Sequence, residues 1–181
     1  KHASDLYSKA GSASPNAELT VGRLQDLQMR ALSARGLAYL DLGRLAAAKA
    51  DLEEILRKTP NSVSGMLNLA KVDIAEKKPA DALGLYERAM AADGRNFDAL
   101  SGYVSVSIAM GQTRQAHAKL DAVMAANTGN NGLLAALHYL RSGVFTAEKD
   151  AASAESELRT AIELDNGYLP AYSAYAALLV A

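Results

Sequence analysis

The chain has 181 residues, half of them apolar, with four prolines, no tryptophan and 6% aromatics, a balance that favours helix over sheet throughout. Nineteen basic residues against 20 acidic ones give a net charge of −1, which leaves no basic surface to neutralise the phosphates of a nucleic acid, and the absence of cysteine removes disulfide frameworks and thiolate zinc sites without fixing a redox compartment. No run reaches the about 18 apolar residues that a bilayer span needs, and the opening KHASDLY is neither a signal sequence nor a methionine start, which suggests an excised piece.

In chain order, ASDLYSKAGSASP places Ala3, Tyr7, Ala10 and Pro15 at the spacing of the second helices found further on, so residues 3–17 read as the second half of a truncated helical hairpin. Residues 18–28, with Leu19, Leu24 and Leu27 at roughly helical spacing, read as an extension of the helix that follows. From Met29 the sequence repeats with a period of 34: Ala48, Leu52 and Ile55 fall over Ala82, Tyr86 and Ala89, and again over Ala116, Leu120 and Val123. Each set is alanine, a large residue four later and a small or apolar one three after that, the stripe of one helix face. The full units are 29–62, 63–96 and 97–130, closed by turn-prone clusters around Pro60, Gly94 and Thr128, with Gly43 and Gly111 at the sharp turns inside the first and third. Residues 131–168 form an expanded fourth unit. Its ALHYLRSGVF, from Ala136, matches GLAYLDLGRL, from Gly36, and its second helix carries Ala154, Leu158 and Ala161, which places about six extra residues around TAEKDAA as a longer turn or an extra helical turn. Residues 169–181 read as the first helix of a truncated fifth unit, with Pro170 tolerated in its first turn.

Gly36 lies inside a helix, where glycine costs about 0.5–1 kcal/mol relative to alanine. A single hairpin cannot bury its own stripe, so neighbours stack, and close stacking asks for small residues where helix axes cross. Gly36 and Ala70 are expected where a first helix meets its own second helix, and Ala48, Ala82 and Ala116 where a second helix meets the next unit.

The pattern resembles the tetratricopeptide repeat, a helix-turn-helix unit with small residues at its eighth and twentieth positions, an aromatic near the eleventh and a proline near the thirty-second. The first unit has Gly36, Tyr39, Ala48 and Pro60 at those places, whereas the second and third keep the alanine of the second helix but carry Asp73 and Ser107 instead of the aromatic. The resemblance implies an all-α solenoid of stacked antiparallel helix pairs, a right-handed superhelix of about ten helices in one array. It also implies a concave groove lined by the first helices: Arg30, Ser33, Ala34, Leu37, Leu40 and Asp41; Ser64, Leu67, Asn68, Lys71, Ile74 and Ala75; Asp98, Ser101, Gly102, Ser105, Ile108 and Ala109; and Asn130, Leu133, Leu134, Leu137, Leu140 and Arg141. Part of the apolar set also serves as repeat core. One subset of the family grips a C-terminal carboxylate with lysines, asparagines and an arginine. Here only Asn68 falls on such a position, and Ser33, Leu37, Asp98 and Gly102 occupy the others, so a partner helix or extended peptide with apolar anchors fits better.

His2, His117 and His138 lie far apart without a second ligand at helical spacing, and His117 reads as part of an exposed helix face, so neither metal nor cofactor is expected. No glycine-rich phosphate loop, nucleophile elbow or His-Glu-x-x-His occurs. The expected function is that of a non-catalytic scaffold binding a protein or peptide partner, as a module of a longer repeat protein. The alternative is the substrate-positioning repeat region of a larger enzyme such as a glycosyltransferase or peptidase. Self-association through the C-terminal AYSAYAALLVA or the long N-terminal helix is a further expectation. Resemblance to repeat proteins of bacterial envelope and polysaccharide export assemblies points to the envelope or periplasm, with the cytoplasm as the alternative.

Overall fold

The computed structural model describes residues 17–180, with side chains from Gly22 onward. Ala3, Tyr7, Ala10 and Pro15, on which the first half-hairpin rests, lie outside the described residues, as does His2. Among the described residues there are nine helices and no strand: α1 (Ala17–Asp41), α2 (Leu45–Lys58), α3 (Val63–Ala75), α4 (Pro79–Ala92), α5 (Phe97–Ala109), α6 (Thr113–Ala125), α7 (Asn131–Ala147), α8 (Ala151–Leu164) and α9 (Leu169–Leu179). They fall into two compact units, α1 with α2 and α3 through α9. The fold is the expected all-α class of helix pairs.

Local chemistry sets the helix ends. Ser62, Asn96 and Asn130 each accept a hydrogen bond from the backbone N–H three residues on, at 3.2, 3.0 and 3.1 Å, so α3, α5 and α7 start with side-chain caps at 34-residue intervals. The tight turns between the members of a pair use one device four times. Gly43, Lys77, Gly111 and Lys149 adopt φ between 60 and 71°. At each, the N–H of the next residue reaches the carbonyl five residues back, as in Arg44 to Tyr39 and Lys78 to Asp73, both 2.8 Å. This is the Schellman arrangement, in which a left-handed residue satisfies the last carbonyls of a helix.

These turns lie 34, 34 and 38 residues apart. The caps of α3, α5 and α7 hold the 34-residue interval, so the fourth pair gains four residues within α7, which has 17 against 13 in α3 and α5. The expansion is an extra helical turn inside α7, of four residues rather than the six expected around TAEKDAA. Four residues exceed one turn by about 40°, so α7 keeps nearly the same face toward its neighbours on both sides of the insertion.

In the first unit, a Cβ added at Gly36 would sit 3.1 Å from Leu52 Cγ and 3.5 Å from the Ala48 carbonyl oxygen, so the glycine is where α1 closes on α2. Ala48 therefore belongs to the crossing within its own pair. Beside it Arg35 donates two hydrogen bonds to the buried carboxylate of Asp51, at 2.7 and 2.8 Å.

The second unit packs in sequence order, with additional contact of α7 against α5 and α9. One core joins Leu100 and Val104 of α5, Ala116 and Leu120 of α6, and Leu137 and Val144 of α7. The next joins Ala135 of α7, Leu158 and Ala161 of α8, and Ala171 of α9. Between α4 and α5 a Cβ at Gly102 would fall 2.4 Å from the Tyr86 ring, so only glycine admits that tyrosine.

Candidate functional site

A cavity of about 450 Å³ opens between α5, α7 and α9 of the second unit. Val104, Ser105 and Ile108 line it from α5, Tyr139, Leu140, Ser142, Gly143 and Thr146 from α7, and Ala174, Ala177 and Leu178 from α9, with Leu158 of α8 at its floor. No lining residue is charged. The hydroxyls of Ser142 and Thr146 donate to the carbonyls of Tyr139 and Ser142 at 2.7 and 2.8 Å, so their donors are already satisfied within α7. Gly143 is exposed and a Cβ there would meet nothing within 4 Å, which leaves the backbone of α7 open to close approach. The site is apolar, uncharged and walled by first helices of successive pairs.

Of the residues expected to line a groove, Ser105, Ile108 and Leu140 are brought together here. Asp98 is exposed and Ser101 half-buried on α5, outside the cavity lining. On α3, Lys71 is exposed and Leu67 half-buried, while Asn68 is turned inward and only 9% exposed. In the first unit Arg30 and Asp41 are exposed and Ser33 and Leu37 half-buried on α1.

Three of the expected groove residues are corrected. Leu137 is fully buried in the α5–α6–α7 core. Arg141 turns to the second helices, pairing with Asp121 of α6 at 3.0 Å and lying 2.9 Å from Glu157 of α8, the latter a contact of charges rather than a directed hydrogen bond. Gly102, expected on the groove, faces Tyr86 of α4. The misplacement on α7 comes from matching Ala136 to Gly36, an offset of 100, where three 34-residue intervals require 102 before the insertion and the turn at Lys149 requires 106 after it. The lining residues missed are Val104 on α5, Tyr139, Ser142, Gly143 and Thr146 on α7, Leu158 on α8, and Ala174, Ala177 and Leu178 on α9. The cap spacing of Asn96 and Asn130 was the signal that could have located the α7 set.

Both described histidines join helices. His138 Nδ1 lies 2.7 Å from Glu157 Oε2, and His117 Nε2 3.2 Å from Glu148 Oε2 with its ring 4.6 Å from that of Phe145. His117 is thus half-buried between α6 and α7 rather than part of an exposed face. Burial works to raise the carboxyl pKa of Glu157, but the hydrogen bond with His138 and the adjacent Arg141 guanidinium outweigh it and hold the group below its ordinary range. Among the described residues no group of three or more His, Asp or Glu is placed to hold a metal ion, and no helix is long and apolar enough to cross a membrane.

Tetratricopeptide repeat models match residues 33–97 and 73–138. The chain is 31% identical over 124 residues to cellulose synthase operon protein C of Xanthomonas axonopodis pv. citri (strain 306), a match over 66% of this chain that spans 8% of that protein's length. Among solved structures, it superposes on a thermophilic TPR protein from Thermus thermophilus with a TM-score of 0.65 at 17% identity, covering 84% of this chain and 82% of the other. It superposes on YrrB, described as a TPR protein with an unusual peptide-binding site, with a TM-score of 0.58 at 20% identity, covering 81% and 73%. Capped helices at 34-residue intervals, a repeated left-handed turn and these matches together establish that the chain belongs to the tetratricopeptide repeat family.

Proposed function

We propose that this chain is a non-catalytic scaffold, one module of a longer repeat protein, that takes a helix or extended peptide of a partner protein in the groove between α5, α7 and α9. The observation that carries the reading is the lining itself: about 450 Å³ of open, uncharged surface walled by three first helices, with Gly143 at its edge. Apolar anchors entering it contribute about 25 cal/mol per Å² removed from water, whereas a charged side chain would be desolvated with no counter-ion among the lining residues. The family is one of protein-interaction scaffolds, and the peptide-binding site described for YrrB supports reading a groove here in the same terms.

The test is to select peptides from a displayed random library on the wild-type chain and to compare their affinities for Gly143→Leu. That substitution replaces an exposed helical glycine, so it is expected to leave the fold intact or to stabilise it by up to about 1 kcal/mol. Selected peptides with apolar anchors are expected to lose at least about tenfold in affinity, or 1.4 kcal/mol. Equal affinity for the two proteins would remove the groove from consideration.

A further inference from the structure

A second cavity, of about 470 Å³, opens where the turn between α6 and α7 faces the turn between α4 and α5. Asn127, Thr128, Gly129 and Leu133 line it from one side and Arg95 from the other. It stands at the start of α7, away from the groove, whose lining on that helix begins at Tyr139. Arg95 is the one charged residue of this lining. Its guanidinium is exposed and has no ion-pair or hydrogen-bond partner among the described residues.

The turns on either side show what the α6–α7 turn lacks. All three share one backbone bond, from the residue before the first helix to the carbonyl three residues back: Asn96 to Asp93, Asn130 to Asn127 and Tyr168 to Asp165, each at 3.1 Å. In the two flanking turns the residue supplying that carbonyl is an aspartate. Its carboxylate also accepts from the N–H two residues on, that of Arg95 at 3.1 Å and that of Gly167 at 2.9 Å. In the α6–α7 turn the same position is Asn127, whose side-chain amide turns back to donate to the Val123 carbonyl at 2.7 Å. The Gly129 N–H, equivalent to the two that meet carboxylates, therefore has no acceptor among the described residues. The side-chain oxygen of Asn130 does not serve it, being bonded to the Leu133 N–H at 3.1 Å.

We propose that this cavity binds a carboxylate carried on a short apolar stem. One oxygen takes at the Gly129 N–H the place that the Asp93 and Asp165 carboxylates hold in their own turns, and the other pairs with Arg95, giving charge-assisted bonds at both ends. The half-buried Leu133 gives the stem an apolar contact, and the volume lies in the range of small-ligand sites. The carboxylate of a peptide C-terminus and that of an acidic side chain share this chemistry. None of these residues stands at the positions by which part of the family grips a C-terminal carboxylate, and the site does not depend on the α5–α7–α9 groove.

The probes are N-acetyl-leucine, which offers a terminal carboxylate, the α-amide of N-acetylglutamate, which offers a side-chain one, and the neutral N-acetyl-leucinamide. Each is titrated into the isotopically labelled full chain while the Gly129 amide resonance is followed. The expected result is a saturable shift with at least one of the two acids, the tighter one identifying the source, and none with the neutral amide. Arg95→Gln is expected to weaken that binding at least about tenfold without changing the far-UV circular dichroism, since the residue is exposed. Asn127→Asp gives the turn the carboxylate of its neighbours and is expected to remove binding. Absence of a saturable shift with both acids, equal shifts with the neutral amide or with inorganic phosphate, shifts centred on the groove residues instead of Gly129, or unchanged affinity in either variant would each overturn the proposal.

Discussion

Gly102 and Tyr86 decide how closely α5 can approach α4, because a methyl group at position 102 would overlap a tyrosine ring that is itself only 5% exposed. Gly102→Ala should therefore cost about 1–3 kcal/mol in urea denaturation, and Tyr86→Leu in the same chain should recover part of that loss. At Gly36 the nearest atoms, Cγ and Cδ2 of Leu52, would lie at 3.1 and 3.3 Å rather than 2.4 Å, so alanine there should be tolerated better than at Gly102. Lys77 and Lys149 hold the left-handed conformation that Gly43 and Gly111 hold at the equivalent turns. Replacing either lysine with glycine should raise stability by about 1 kcal/mol, seen as a higher denaturation midpoint, since the β-carbon is what disfavours that conformation. Gly36 was readable from sequence as a crossing because it interrupts an otherwise strong helix former. Gly102 was read as groove surface because its partner, Tyr86, lies in another pair and no periodicity reports which tyrosine leans which way.

At the level of elements, the ion pairs between helices carry the pH dependence. Two hydrogen bonds from Arg35 hold the Asp51 carboxyl below its ordinary value, against a smaller opposing effect of burial. The folded value lies below the unfolded one of about 3.9, so the contribution is present above that pH and is lost as the pH falls through the folded value. Glu157, depressed by His138 and Arg141, acts with the same sign between α7 and α8. Asp51→Asn is accordingly expected to flatten the acid side of the stability–pH curve measured by urea titration; an unchanged acid limb would mean that the pair adds nothing specific. The helices themselves were legible from the 34-residue stripe of alanine and large apolar residues. The residues of α7 were not, because four extra residues inside one helix leave both its ends looking regular while shifting the match between them. Only cap chemistry at Asn96 and Asn130, read together with the turn at Lys149, locates the insertion.

At the scale of the molecule, the second unit combines two apolar cores, one of α5, α6 and α7 and one of α7, α8 and α9, with the uncharged groove of α5, α7 and α9. The family membership and the all-α class could be read from the repeat alone; which three helices enclose open space could not, since that depends on the extra turn of α7 and on how α9 closes against it. The direct test of the groove is methyl chemical-shift mapping of the isotopically labelled chain titrated with a library-selected peptide. Perturbations centred on Ile108, Leu140 and Leu178 are the expected result. Perturbations confined to Leu24, Leu27 and Leu42 of the first unit, with the methyl groups of Ile108, Leu140 and Leu178 unmoved, would contradict it.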